Sequence, residues 1–158
     1  MSRWIALIAL LLSACATETR YVEAPGQDDA WLRDGAAEAW AGVGVEVPED
    51  YTLLFLDPDT LLDACRVEAP EVGTVGGCSF PGVVLLNRDA DVGLQLANLT
   101  HELGHMMRPH RKSDELDHRH LDCPESDRGE HGQDVMCATR APVGTFPTVR
   151  DAAFVSAR

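Results

Sequence analysis

The chain has 158 residues, 45% of them hydrophobic, with 13 Lys and Arg against 26 Asp and Glu, a formal net charge of −13. That length supports one modest domain with a real core and is too short for two. An acidic surface of this kind repels nucleic acid and anionic lipid headgroups, which sets aside nucleic-acid binding and polybasic membrane attachment.

Met1-Ser2-Arg3 is a short cationic start, and Trp4 to Leu12 is an apolar run of nine residues. That run falls far short of the roughly 20 residues a membrane-spanning helix needs. It has the form of a signal-peptide apolar region and is excluded from the fold. Leu12-Ser13-Ala14-Cys15 resembles the bacterial lipobox. The resemblance implies that residues 1–14 are a lipoprotein signal peptide and that Cys15, lipidated, becomes the mature N-terminus and membrane anchor. Ala16 stands where an inner-membrane retention signal usually has Asp, so the expected location is the outer membrane of a bacterial cell envelope, facing the periplasm or the surface. Without residues 1–14 the chain keeps 12 basic and 26 acidic side chains, a formal −14, so the anchor is lipid alone. Four further cysteines, an even number in an exported domain, suggest disulfides. Of the three possible pairings, the nearest-neighbour one, Cys65–Cys78 and Cys123–Cys137, is expected. A Cys/His zinc site is disfavoured, because the chain has no C-x-x-C pair.

Residues 15–27 read as the lipidated cysteine followed by a polar tether rich in breakers, and residues 28–158 as the domain. Asp28 or Asp29 can cap a first helix reaching about Ala41, with Trp31, Leu32, Ala36, Ala39 and Trp40 on or near one face. The run 51–57, YTLLFLD, reads as a buried strand, and PDTLLDACR as one or two helical turns from about Asp59. The stretch VEAPEVGTVGGCSFPG carries too much Gly and Pro for regular structure. VVLLN, 83–87, is a second strand. Asp89 or Asp91 then caps the best-defined helix, in which Val92, Leu96, Leu99, Leu103 and Met106 repeat at helical spacing and face the core. Asn98, His101 and His105 form an adjacent stripe, and Pro109 stops the helix by Arg108. From 110 to 134 the chain is loop-like and dense in charge and histidine. The three glycines Gly73, Gly76 and Gly77 make no phosphate loop, and no G-x-S-x-G elbow occurs.

His101-Glu102-Leu103-Gly104-His105 is H-E-x-x-H on this helix. A spacing of four puts both imidazoles on one face, one turn apart, so both can reach one ion. Zinc, one per chain, suits imidazole nitrogens at about 2.0–2.1 Å. Glu102 lies beside such an ion, placed as general base toward a water the metal has made acidic.

The pattern resembles the zincin-type metallopeptidases, with the metzincin branch nearest. The metzincin signature H-E-x-x-H-x-x-G-x-x-H is matched by His101, Glu102 and His105 and departs at Arg108, in the glycine position, and Arg111, in the third-histidine position. His110 misses that position by one residue. QDVMCA, 133–138, is similar to the methionine turn, with Met136 in the matching role, and VVLLN is similar to the edge strand beside the cleft. With the third histidine displaced, a longer excursion can supply the ligand. His120 is favoured, because a Cys123–Cys137 bridge next to Met136 draws it back under the helix; His110 comes next, then His131 or His118. Asp122 could orient an imidazole, and Glu125 is the acidic alternative.

The expected fold is therefore α+β and zincin-like, a small twisted sheet with packed helices and a zinc cleft beside the active-site helix. The expected function is a membrane-anchored, monomeric cell-envelope zinc metallopeptidase acting on a peptide or protein substrate, with Glu102 as catalytic base. Two alternatives stand beside it. One is a degenerate zincin-like lipoprotein that binds zinc or a protein partner without catalysis, motivated by the lost glycine. The other is a periplasmic metal-sequestering lipoprotein, motivated by the histidine-rich loop.

Overall fold

The computed structural model describes residues 29–66, 75–108, 120–121, 135–136 and 146–157. Among these, four helices pack on a small mixed three-stranded sheet, an α+β arrangement. The first helix, α1, spans Ala30–Ala41, and Leu32, Ala36, Ala39 and Trp40 form its buried stripe. Trp31, expected beside them, is 41% exposed. It precedes Leu32 by one residue, about 100° around the helix, and falls off the stripe. Asp29 occupies the cap position, but its carboxylate accepts from Arg33 Nε at 2.9 Å instead of from a backbone N–H.

Strand β1, Thr52–Leu56, leads into helix α2, Pro58–Cys65. The cap is Asp57, which accepts from the backbone N–H of Thr60 at 3.0 Å and from its hydroxyl at 2.7 Å. Helix α2 therefore begins one residue earlier than Asp59 suggested. Pro58 opens it, where a missing N–H costs nothing.

The stretch read as irregular holds a strand, β2, Gly77–Phe80. It folds back antiparallel on β3, Val83–Asn87, through Pro81-Gly82, with Phe80 opposite Val83 and Cys78 opposite Leu85. A proline followed by a glycine at φ +74° suits a tight reversal, so the residues that argued against a strand serve as its turn. Strand β3 also pairs in parallel with β1, and the sheet order is β1-β3-β2. The expectation that VVLLN forms the edge is thus corrected: β3 is central, and β2 is the edge on its side. A continuous apolar run is what a strand covered on both faces requires.

Helix α3, Val92–Met107, is capped by Asp91, which accepts from Leu94 N–H at 2.9 Å. Leu99 and Leu103 are fully buried and Leu96 and Met106 partly so, whereas Val92, expected in the core, is 55% exposed. A helix of 16 residues is about 24 Å long and overhangs strands of four or five residues, so its first turn projects past the sheet. Arg108 leaves helical geometry at ψ 131°, as the residue before Pro109 should. A last helix, α4, Val149–Ser156, was not foreseen, although its capping box, Thr148-x-x-Asp151, is written in the sequence.

Strand alternation divides the interior. Leu53, Phe55, Val84 and Leu86 face α1 and α3 and join Leu32, Trp40, Leu99, Leu103, Met136 and Val155 in the main core. Leu56 and Leu85 face the other way and pack with Leu61 and Cys65 of α2. Each fully buried Leu contributes about 1.5–3 kcal/mol relative to exposure. The expected Cys65–Cys78 disulfide is present, with Cα atoms 5.9 Å apart, and ties α2 to β2. Among the described residues, no helix is long and apolar enough to cross a membrane.

Candidate metal centre

The buried stripe of α3 fixes the roll of the helix, and the roll fixes where its polar residues point. His101 and His105 lie on one side with ring centroids 4.8 Å apart. His120 approaches from the distal segment, stacked on His101 at 5.1 Å and edge-on to His105 at 4.8 Å. His101 Nε2 stands 3.1 Å from His105 Nε2 and 3.2 Å from His120 Nε2. The ligand atoms of the three histidines all lie within 4.8 Å of one another, close enough for one metal ion. His105 is buried, His101 half-buried and His120 exposed, so the cluster opens to solvent on one side.

The protonation of His101 follows from its other nitrogen. Nδ1 lies 2.6 Å from the carbonyl oxygen of Val135, which can only accept, so Nδ1 carries a proton, and in the neutral ring this leaves Nε2 to present a lone pair to the cluster. Ring nitrogens about 3 Å apart need a shared proton or a cation between them. The edge of a tetrahedron of nitrogens about 2.05 Å from a central ion is about 3.3 Å, near the two Nε2 separations. The donor chemistry and the spacing therefore both fit a metal.

Glu102, on the same helix, is turned toward β2. It is 6% exposed, and its Oε2 accepts from the hydroxyl of Ser79 at 2.8 Å. Gly77, at the start of β2, is required by β3 rather than by Glu102: a Cβ there would meet Leu86 and the backbone of Leu85 at under 3 Å, and Glu102 Cγ only at an ordinary 3.4 Å. Beneath the helix, Val135 and Met136 form a buried turn. Met136 packs so tightly against Gly104 that a Cβ at that glycine would collide with its sulfur, and would sit 3.1 Å from Trp40. The carbonyl of Met136 accepts from Leu121 N–H at 2.9 Å, which places His120, one residue earlier, beside His101 and His105. The turn's own N–H groups are held by the buried carboxylate of Asp151 on α4.

The sequence-derived trio His101, His105 and His120 is thus brought together, and Met136 sits below the helix. His110, His118, His131, Glu125, Asp122, Arg111 and the Cys123–Cys137 pair lie outside the described residues, as do Cys15, the signal peptide and the tether. Ser79, Gly77 and Asp151 were missed. Ser79 and Gly77 lie in the stretch dismissed as irregular, and Asp151 reads locally as a helix cap. Comparison of the chain with protein-family models, with curated proteins and with solved structures finds no match to any of them.

Proposed function

We propose that this chain is a zinc-dependent peptidase of the bacterial cell envelope, lipid-anchored through Cys15. The observation that carries the reading is the convergence of His101, His105 and His120, from two separate segments, with a buried glutamate one residue after the first histidine. Three imidazoles with at least one tautomer set for metal binding suit zinc better than harder cations, which prefer oxygen. Bound zinc supplies Lewis-acid polarisation of a scissile carbonyl and of water. His101 and His105 hold the ion from the helix, and His120 completes the set. Glu102 accepts a proton from the attacking water and returns it to the leaving amine. Ser79 holds the Glu102 carboxylate in one orientation. A substrate peptide binds extended along the edge strand β2, which needs only backbone hydrogen bonds.

The test is elemental analysis and peptide hydrolysis by the full-length protein. The reading expects one zinc per chain, and expects Glu102→Gln to keep that zinc while abolishing hydrolysis. Zinc-free protein, or a Gln variant as active as the wild type, overturns it. A second reading, a zinc-binding lipoprotein without catalysis, draws on the buried Ser79–Glu102 hydrogen bond, which already engages one oxygen of the intended base. Zinc retention without hydrolysis in the wild type decides for it, and several metals per chain decide for sequestration.

A further inference from the structure

Asp151 is fully buried, and burying a charged carboxylate costs several kcal/mol unless hydrogen bonds replace its water. Its two oxygens divide their work. Oδ2 accepts from Thr148 N–H at 2.8 Å, Thr148 Oγ1 at 3.1 Å and Val135 N–H at 3.0 Å. Oδ1 accepts from Met136 N–H at 2.9 Å. Capping α4 accounts for the Thr148 contacts alone, and a cap requires neither burial nor contacts to a distant turn. The Met136 N–H belongs to the same peptide unit as the Val135 carbonyl, and that carbonyl accepts from His101 Nδ1 at 2.6 Å. The order is carboxylate, peptide group, imidazole, and then the Nε2 that faces the cluster. A negative charge at the N–H end of an amide makes its oxygen a stronger acceptor, because consecutive hydrogen bonds polarise one another. A carboxylate bonded directly to a ligand histidine fixes its tautomer and raises its basicity; here a peptide group is interposed. The neighbouring carbonyl, of Met136, accepts from Leu121 beside His120. One carboxylate on α4 thus governs the turn that orients two of the three imidazoles.

We propose that Asp151 is a positioning residue for the metal centre, setting the His101 tautomer and the place of His120 through the Val135-Met136 turn. The affinity arm of the test rests on the zinc reading above; the tautomer arm does not. In full-length, metal-free wild type at neutral pH, ¹⁵N NMR of the His101 ring, assigned against His101→Gln, should show the proton on Nδ1. A ring protonated on Nε2 overturns the proposal without any variant. Asp151→Asn, which keeps the shape and loses the charge, should mix the His101 tautomers and weaken zinc binding about 10- to 100-fold. Thr148→Ala, which removes the α4 cap while leaving the turn contacts, should lower the melting temperature and leave both readouts as in the wild type. If Thr148→Ala reproduces the Asp151→Asn changes, Asp151 is merely structural and the proposal fails. It fails equally if Asp151→Asn folds and leaves the His101 tautomer unchanged. Should the wild type bind no zinc while Asp151→Asn still shifts the tautomer, the relay stands and the zinc reading falls.

Discussion

Replacing Gly104 by Ala tests how closely the Val135-Met136 turn is pressed against α3. In an ordinary helix interior this change stabilises by about 0.8–1 kcal/mol, through restricted unfolded-state freedom and better propensity. At Gly104 the new methyl would collide with the sulfur of Met136 and would stand 3.0 Å from its terminal methyl and 3.1 Å from Trp40. The sulfur and methyl of Met136 are the flexible end of its side chain, but a shift there displaces a fully buried group. Both neighbours are fully buried, Trp40 is pinned by its indole N–H to Thr100 O at 2.9 Å, and the turn is held by Asp151. Overpacking of this kind costs about 1–3 kcal/mol. The net expectation is destabilisation of about 1 kcal/mol, against a gain at Gly93 of the same helix, where a Cβ meets only Asp91 Oδ1 at 3.4 Å. Met136→Ala should itself cost about 2–5 kcal/mol, by opening a cavity. In that background the collision with Met136 is gone and only the 3.1 Å approach to Trp40 remains, so Gly104→Ala should become neutral or stabilising, by up to about 1 kcal/mol. The coupling between the two sites is then about 1–2 kcal/mol, within the range for residues in contact. Urea unfolding of the four proteins at constant m-value measures it. Additivity within about 0.5 kcal/mol, or a stabilising Gly104→Ala in the wild-type background, refutes the packing argument.

Ser79→Ala removes a buried hydrogen bond to a charged group and should cost about 1.5–3 kcal/mol in urea unfolding; an unchanged midpoint would show that Glu102 does not depend on it. The Cys65–Cys78 bridge closes a loop of 13 residues in sequence separation, so chain entropy assigns it about 3 kcal/mol. A double Cys→Ser variant should melt earlier than the oxidised wild type, and an identical melting temperature contradicts that. The hydrogen bonds from Thr60 hold the Asp57 carboxyl below the usual carboxylate range. Its contribution is therefore complete above about pH 4 and lost as pH falls through the lower folded-state value. Between pH 5 and about pH 2, wild-type stability should fall more steeply than that of Asp57→Asn; parallel curves would remove Asp57 from the account of acid unfolding.

The elements with strong local patterns were legible in the sequence. The helical repeat through Leu96, Leu99 and Leu103, the apolar runs of β1 and β3, the helix stop before Pro109 and the pairing of Cys65 with Cys78 all follow from periodicity, backbone restriction and cysteine spacing. The four-residue spacing of His101 and His105 set two imidazoles on one face before any tertiary contact was known. Strand β2 was hidden because Gly76, Gly77 and Pro81-Gly82 look like breakers until the reversal at Pro81-Gly82, and the helix whose Asn98 lies flush on Gly76, are in view. Asp151 was hidden because a capping residue announces only its own helix, while its second partner lies 15 residues upstream. Local rules record what a residue does to its neighbours in the chain. Which distant N–H a carboxylate satisfies, and which carbonyl holds an imidazole, depends on how separate segments meet around a shared core, and only the tertiary structure decides that.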